Sequence, residues 1–375
     1  MSKSISLIIL AAGNSSRFEK KAAKQWLRIG DAPLWQFVAN KLVKMYNFKK
    51  CVITSHPDDL KYMQNFIESD GFFEIVAGDK ERQLSLKNAI RNIDSEFVLV
   101  TDVARACADK EVVDRLLNES DNFDCVVPYI KVADTVLFND VQIDRDSLKR
   151  VQTPQLSKTK ILKEALKSNK IFTDESTLIA SFGGKIGFVK GSEEAIKITH
   201  SGDLNMLSCL EAPSNDVFAG NGFDVHEFEK NRKMVLGGVE VESDFGFKAH
   251  SDGDVAIHAL IDSLLGAAGM GDIGELFPDS SEKYKNIDSK ILLKESIDKI
   301  KRCGFEIVNA DITIIAQTPK IEPYKQKMKE TLSKIMDIPL SRVNIKATTT
   351  EKLGFVGRKE GAAVMATASL KYFDW

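Results

Sequence analysis

Short apolar runs alternate with segments of helical spacing over roughly the first 210 residues of the chain. Runs of this length suit strands that are buried on both faces of a sheet. Parallel strands need a long crossover between them, so the alternation favours an α/β domain with a mostly parallel sheet. We predict strands at 5–10, 51–54, 97–100 and 125–127, and helices at 33–45, 59–67, 82–93, 158–167, 175–182 and 202–210.

The alternation stops at residues 211–216, where proline, serine, asparagine and aspartate stand together. This composition is typical of a linker. We therefore predict a domain at 1–210, a linker at 211–218 and a second domain at 219–375, which is long enough for a core of its own. In the second domain we predict helices at 252–268, 289–303 and 323–336, and strands at 306–316, 342–347 and 362–370.

Charge and cysteine usage narrow the class of protein. The formal net charge is −2, so no basic field draws the chain to nucleic acid or to an anionic membrane, and anionic ligands must be held by local groups. The five cysteines form no Cys-x-x-Cys pair, which favours reduced thiols in a cytoplasmic protein. The apolar run at 5–12 is shorter than the ~20 residues of a membrane helix and leads into a polar loop, which favours a buried strand over a signal peptide.

The first strand leads into a loop of small residues, Ala11-Ala12-Gly13, which is followed by Arg17 and Lys24. Small residues let the phosphates of a ligand approach backbone amides. A turn of this kind is usually an ordinary connection from a strand to a helix. The two basic residues that follow this loop favour nucleotide binding instead.

Further motifs follow in order: Arg82-Gln-Leu-Ser85, Val100-Thr-Asp102-Val-Ala-Arg105, Ala133-Asp134-Thr135, Asp144-Arg145, Thr153-Pro154-Gln155, Thr173-Asp174-Glu175 and Ile196-Lys197-Ile198-Thr199. Together with the first loop, this series resembles the 2-C-methyl-D-erythritol 4-phosphate cytidylyltransferases over residues 1–210. The resemblance implies a Rossmann-like nucleotidyltransferase domain, dimeric in the family, that joins CTP to 2-C-methyl-D-erythritol 4-phosphate and releases diphosphate. It also implies Mg²⁺ or Mn²⁺ at the triphosphate.

The resemblance assigns roles to particular residues. Cytidine would be held by Ala11, Ala12, Gly13 and Ser85. Charge at the α-phosphate would be neutralised by Arg17, Lys24 and Lys197. The polyol phosphate would be bound by Asp102, Arg105, Thr135, Arg145 and Thr153.

The chain departs from the family pattern at Leu10 and Ala106, where the family has proline, and its loop before Ser85 is one residue longer. Two alternatives therefore stay open for the first domain. It could activate another sugar phosphate with another nucleotide, or it could be a non-catalytic scaffold for the second domain.

Three of the five histidines, His226, His250 and His258, fall within one short region. Asp224 and His226 stand at i and i+2, on one face of an extended segment, and His258 lies on a predicted helix. Three such ligands with an open fourth position are typical of a catalytic zinc site. Manganese and iron use similar ligands, so the residue types alone leave the metal open.

Longer motifs surround these histidines, including Gly222-Phe-Asp224-Val-His226, His250-Ser-Asp-Gly-Asp254-Val-Ala-Ile-His258 and Ala347-Thr348-Thr-Thr-Glu351. They resemble the 2-C-methyl-D-erythritol 2,4-cyclodiphosphate synthases over residues 219–375. The resemblance implies an α+β domain, which is trimeric in the family. Together with the dimeric first domain, this trimer would make the whole chain a hexamer. In the implied reaction the 2-phosphate of a cytidine diphosphate substrate attacks its own β-phosphate and expels CMP.

This second resemblance also assigns roles. Zn²⁺ would be held by Asp224, His226 and His258, and a second divalent ion, Mg²⁺ or Mn²⁺, by Glu351. The catalytic residues His250 and Asp254 would act beside Ser251, which touches phosphate oxygens. The erythritol would be surrounded by Asp272, Gly274, Phe277 and Asp279, and the cytidine and its phosphates by Pro319, Lys320, Ala347, Thr348, Thr349 and Arg358.

The two implied reactions belong to the non-mevalonate route to isoprenoid precursors, but they are not consecutive. The second consumes a 2-phosphorylated form of the product of the first. The chain has no glycine-rich kinase loop. A separate kinase is therefore an expected partner.

Overall fold

The structure is a computed structural model that describes residues 3–68, 70–249, 251–278, 281–284 and 287–375. Over these residues the chain divides into two compact units, Met1–Ala212 with Trp375, and Pro213–Asp374. No helix in the described ranges combines the length and the apolar character that crossing a bilayer requires.

The N-terminal unit alternates strands with helices. Its strands are β1 (Ile5–Leu10), β2 (Arg28–Ile29), β3 (Ala32–Pro33), β4 (Cys51–Ser55), β5 (Phe73–Ala77), β6 (Phe97–Asp102), β7 (Cys125–Lys131), β8 (Val136–Phe138), β9 (Val141–Ile143), β10 (Lys149–Val151), β11 (Gln155–Lys158) and β12 (Ile186–Lys190). Its α-helices are α1 (Leu34–Val43), α2 (Leu60–Gln64), α3 (Arg82–Ala89), α4 (Lys110–Glu119), α5 (Thr159–Ala165) and α6 (Glu175–Ser181). Short 3₁₀ helices lie at Lys24–Trp26, Pro57–Asp59, Arg145–Ser147 and Ser201–Met206.

The main sheet of this unit has the strand order β10-β7-β11-β6-β1-β4-β5, and β12 pairs with β7. β1 is parallel to β4 and β6, and β4 is parallel to β5, whereas β10 and β11 run antiparallel to their neighbours. The apolar residues of β1 and β4 are buried on both faces, as the short runs in the sequence predict. The predicted α/β fold with a mostly parallel sheet is confirmed.

Two predictions for this unit were wrong. The helix predicted at 202–210 is only a short 3₁₀ helix, because the backbone becomes extended at Leu207. Cys107 and Cys209 form a disulfide across 102 residues of sequence, so not all the cysteines are reduced thiols. Cys51, Cys125 and Cys303 are buried and take no part in a disulfide.

The C-terminal unit places helices against one sheet. Its strands are β13 (Val217–Lys230), β14 (Met234–Leu236), β15 (Val239–Val241), β16 (Phe245–Phe247), β17 (Phe305–Ile315), β18 (Val343–Thr348) and β19 (Gly361–Tyr372). Its α-helices are α7 (Val255–Ala268), α8 (Ile273–Leu276), α9 (Ser289–Arg302), α10 (Lys325–Met336) and α11 (Gly354–Gly357). Short 3₁₀ helices lie at Glu282–Tyr284, Glu322–Tyr324 and Leu340–Arg342.

The sheet has the order β16-β13-β19-β17-β18, and β17 and β18 are its parallel pair. Helix α7 lies directly against β13, and glycines permit this close approach. A Cβ added at Gly220 would stand 2.1 Å from the carbonyl oxygen of Ser263, and one at Gly222 would stand 1.9 Å from that of Ala259. The glycines therefore set the distance between the strand and the helix. The helices packed against this sheet confirm the predicted α+β fold.

Candidate active sites

The first candidate site lies at the carboxyl ends of β1, β4, β5 and β6, the usual ligand position in an open parallel sheet. A cavity of about 830 Å³ opens there. Residues predicted from distant parts of the sequence line it together: Ala12, Gly13, Arg17, Lys24, Ser85, Asp102 and Lys197. Ala11 lies just behind the cavity, where its backbone N–H donates to Thr54 Oγ1 at 3.0 Å.

Positive charge is concentrated at this cavity. Lys24 Nζ donates to the carbonyl oxygen of Ile198 at 3.0 Å, beside Lys197. Burial, with the nearby charges of Lys197 and Arg17, lowers the pKa of Lys24. A ligand with several negative charges, such as a triphosphate, would relieve the repulsion among these cations.

Asp102 sits between two cations. Its Oδ2 accepts from Lys197 Nζ at 2.7 Å, and its Oδ1 accepts from Arg82 Nε at 2.8 Å. Burial alone would raise the pKa of Asp102, but Arg82 and Lys197 hold that pKa well below its usual range. Asp102 is therefore a carboxylate. No role was predicted for Arg82 from the sequence. Its place at the start of the motif Arg82-Gln-Leu-Ser85 could have indicated that it belongs to the site.

The floor of the cavity is made of small residues. A Cβ added at Gly78 would stand 2.2 Å from the Cβ of Ala12, so no larger residue fits there without a shift. Ser85 Oγ accepts from the backbone N–H of Asp79 at 2.9 Å and closes the longer loop. Asp79 and Lys80 line the cavity, and the sequence had not singled them out.

The polyol-phosphate residues are only partly brought together. Thr153 Oγ1 accepts from the backbone N–H of Asp102 at 3.2 Å, directly behind the cavity. Arg105 donates to the carbonyl oxygens of Ala195 and Val151. Thr135 and Arg145 are exposed, and neither lines the cavity.

The second candidate site is a cluster of Asp224, His226 and His258. β13 carries the first two and α7 carries the third. Asp224 Oδ2 lies 3.0 Å from His226 Nε2 and 3.3 Å from His258 Nδ1. One ligand atom from each residue falls within 4.8 Å of the others. Bonds of about 2.0–2.2 Å to a tetrahedral metal separate ligand atoms by about 3.3–3.6 Å, so the cluster fits a small divalent metal such as Zn²⁺.

The outer ring nitrogens of both histidines have partners. His226 Nδ1 lies 3.0 Å from the carbonyl oxygen of Gly253, which accepts its proton when Nε2 faces a metal. His258 Nε2 lies 3.1 Å from Ser289 Oγ and 3.3 Å from Ser251 Oγ. Such partners fix the tautomer and the orientation of a metal-binding imidazole.

A cavity of about 540 Å³ adjoins the cluster, and Ser251, Asp262, Gly274 and Phe277 line it. Burial, with the charges of Asp272 and Asp224, raises the pKa of Asp262. Sequence reasoning missed Asp262, although its spacing of four residues from His258 on one helix was a signal.

The structure does not support the catalytic role expected for Asp254. The side chain is completely buried, and its oxygens accept from the backbone N–H groups of Gly237, Gly238, Ala256 and Ile257. The residue caps the first turn of α7 instead of facing the cavity. The predicted residues His250 and Asp279 lie outside the described residues.

The residues predicted to hold cytidine in the second site do not line this cavity. Lys320, Ala347, Thr348, Thr349, Glu351 and Arg358 are exposed, and Pro319 is half-buried. Glu351 Oε1 accepts from Thr349 Oγ1 at 3.0 Å, and Arg358 pairs with Glu360. Asp272 is also exposed, and it caps α8 by accepting from the N–H of Glu275.

The close contact at Gly222 gives a first prediction. Gly222→Ala would force α7 away from β13 and separate His258 from Asp224. We expect a loss of about 1–3 kcal/mol in the free energy of unfolding of this unit, together with weaker Zn²⁺ binding, measured by thermal unfolding and by bound zinc per chain. Gly266→Ala is the matched control, because an added Cβ there meets nothing within 4 Å. Equal behaviour of the two variants would contradict the prediction.

Comparisons with known proteins cover both units. The family model for 2-C-methyl-D-erythritol 4-phosphate cytidylyltransferase matches residues 5–210, and the model for the YgbB family matches residues 217–371. The bifunctional enzyme IspD/IspF of Sulfurimonas denitrificans is 54% identical over 99% of this chain and 95% of its own. That of Aliarcobacter butzleri is 50% identical over 99% of this chain and 98% of its own.

A solved structure agrees with the whole fold. The bifunctional IspDF from Campylobacter jejuni has a TM-score of 0.92 and 51% sequence identity, and the match covers 99% of both chains. Both resemblances noted in the sequence are confirmed. The chain belongs to the bifunctional IspD/IspF enzymes, which join a 2-C-methyl-D-erythritol 4-phosphate cytidylyltransferase to a cyclodiphosphate synthase of the non-mevalonate pathway.

Proposed function

We propose that cytidylyl transfer takes place in the cavity of the N-terminal unit, with Arg17, Lys24 and Lys197 as the groups that neutralise charge at the α-phosphate of CTP. The convergence of these three cations on one cavity carries the proposal. Reactions of this kind depend on positioning and charge neutralisation more than on covalent catalysis. Mg²⁺ or Mn²⁺ bound with the triphosphate would supply further neutralisation.

The remaining residues of this cavity would hold the two substrates. Ala11, Ala12 and Gly13 leave room for the nucleotide to approach the backbone, and Ser85 shapes the loop beside it. Asp102 lines the same cavity, with Thr153 directly behind it, and these two residues and Arg105 would bind the polyol phosphate. Thr135 and Arg145 would join them from a second copy of the chain, since they lie away from this cavity.

In the C-terminal unit, we propose that Asp224, His226 and His258 hold Zn²⁺, which would polarise a phosphate oxygen of the substrate. The separation of their ligand atoms and the partners of both imidazoles support this assignment. Ser251 faces the same cavity and would bind a phosphate oxygen, while Gly274 and Phe277 would enclose the erythritol. We also propose that His250 is a catalytic residue and that Asp272 and Asp279 contribute to binding the erythritol.

The complete second site would require a neighbouring copy of the chain. The proposed cytidine residues and Glu351, which would hold Mg²⁺ or Mn²⁺, do not line the cavity of the metal cluster. Exposed apolar residues, including Phe223 and its cross-strand neighbour Met365, lie on the sheet of this unit. These observations support a trimer of C-terminal units, and dimeric N-terminal units would then give a hexamer.

The test follows cytidine through both reactions. The holoenzyme is supplied with CTP, methylerythritol phosphate, Mg²⁺ and Zn²⁺. A separate kinase, the proposed cytoplasmic partner, is added together with ATP. We expect equal amounts of CMP and cyclic product. Without the kinase the reaction should stop at the cytidine diphosphate, and after zinc is chelated it should stop at the phosphorylated form. Cyclic product in either of the last two cases would contradict the proposal, as would equal use of UTP.

A further inference from the structure

Glu175 is an unusual residue beside the first cavity, because its carboxylate has no exposed surface. It is the first residue of α6, and the preceding residue, Asp174, already caps that helix by accepting from the N–H of Thr177. Burying a charge is costly unless the charge is paired. The cation that compensates Glu175 therefore indicates what the carboxylate does.

That cation is Arg82, at the start of α3, 93 residues away in the sequence. Arg82 Nη1 donates to Glu175 Oε1, and Nη2 donates to Oε2 at 3.3 Å. Both ends of the guanidinium fork thus bind Glu175, which fixes the plane of the group. The remaining nitrogen, Nε, points to Asp102 Oδ1 at 2.8 Å.

The series of ion pairs continues from Asp102 to Lys197. Since Arg82 takes Oδ1 of Asp102, the other oxygen is left to accept from Lys197 Nζ at 2.7 Å. Arg82, Asp102 and Lys197 all line the cavity, whereas Glu175 lies behind it. The four side chains form a continuous series from the buried helix end to the cavity, and their two positive charges match their two negative charges.

We propose that Glu175 is a positioning residue for cytidylyl transfer, which sets the place of the Lys197 ammonium through Arg82 and Asp102. The proposal rests on the function proposed for Lys197 in this cavity. With Glu175 in place, Arg82 offers Asp102 one N–H. Without that carboxylate, the fork of Arg82 is free to turn toward Asp102, take both of its oxygens and displace Lys197.

The main test is Glu175→Gln, which keeps the shape and removes the charge. We expect kcat of cytidylyl transfer to fall by about 100-fold, the scale of a displacement of about 1 Å in a positioned group. KM for CTP should change by less than about twofold, because the cavity floor and Lys24 are untouched. Glu175→Asp should recover part of the rate. Glu164→Gln is the control, since this glutamate near the end of α5 is exposed and, in the described contacts, its side chain pairs only with Lys167, just beyond that helix.

A double-variant cycle separates positioning from a general structural role. In a Lys197→Ala background, followed by single-turnover measurement, Glu175→Gln should change the rate by less than about twofold. An equal loss in both backgrounds would overturn the proposal, as would a change below twofold in the parent enzyme. If Lys197→Ala itself keeps full activity, the function proposed for Lys197 is wrong. That result would not concern the contacts that join Glu175, Arg82 and Asp102. If Glu175→Gln does not fold, Arg82→Lys, which keeps the charge but lacks the fork, replaces it in the same cycle and faces the same two outcomes.

Discussion

Asp224→Asn is expected to reduce ring closure by at least about 100-fold and to release the bound zinc, while cytidylyl transfer by the same chain is unchanged. Asp224 Oδ2 faces a ring nitrogen of each histidine at 3.0 Å and 3.3 Å, so it is shared across the whole cluster. Changes outside the ligand set already cost about 10–100-fold in metal affinity, so losing a ligand charge should cost at least the upper value. Metal analysis of the purified protein and the release of CMP measure the two effects.

Asp244→Asn provides the matched control, because Asp244 is exposed and lies outside the cluster. It makes the same chemical change in the same unit and should leave zinc content and ring closure as they were. Retention of zinc and of ring closure by Asp224→Asn would contradict the assignment of this residue. A parallel loss of cytidylyl transfer would show instead that the variant damages the chain generally.

Lys24→Ala is expected to lower the kcat/KM of cytidylyl transfer by about 100–1,000-fold, the range for removing one preorganised group that stabilises transition-state charge. Lys24 is held at the cavity by the carbonyl oxygen of Ile198. Because burial and two neighbouring cations lower its pKa, Lys24 loses its proton at a lower pH than an ordinary lysine. CTP affinity should therefore decrease as the pH rises into the alkaline range, and this decrease should be absent in the variant.

Lys20→Ala tests whether any lysine of the same loop would have this effect. Lys20 is exposed and does not line the cavity, so its removal should change kcat/KM by less than about twofold. Diphosphate release with CTP and methylerythritol phosphate, followed from pH 6 to 10, compares the two variants. More than a tenth of the parent rate in Lys24→Ala would contradict the role proposed for this residue.

The sequence predicts four strands of the N-terminal sheet, because a buried apolar run can be recognised without knowing its partner strands. β1, β4, β6 and β7 begin at the predicted residues, although β6 continues through the polar pair Thr101 and Asp102. The strands β5, β8, β9, β10, β11 and β12 went unpredicted. β8, β9 and β10 are only three residues long and largely exposed, and β11 is mostly polar in sequence although it is buried.

Helix ends were less predictable because side chains decide them. The predicted helix at 252–268 begins only at Val255, where Asp254 caps it. The same aspartate shows why spacing misled the assignment of function. One helical turn from His258 is close enough to share a cavity, but backbone N–H groups from two separate segments surround the carboxylate.

Two contacts between distant segments could not be predicted. The pairing of Arg82 with Glu175, and of Cys107 with Cys209, depends on which loops the sheet brings together. The metal cluster was predictable, since Asp224 and His226 share a strand face and His258 falls on a recognisable helix. Nothing in the sequence indicated that Glu351 would not line the cavity beside this cluster.

Having both catalytic units on one polypeptide fixes the abundance of the two enzymes at one to one. A cell with separate proteins can adjust that ratio through transcription or degradation, whereas here every newly synthesised molecule adds the same amount of each. The separate kinase proposed above for the intervening phosphorylation would not share this constraint. Supply of that kinase would then be the step through which gene expression alters the balance between the first and the last reaction.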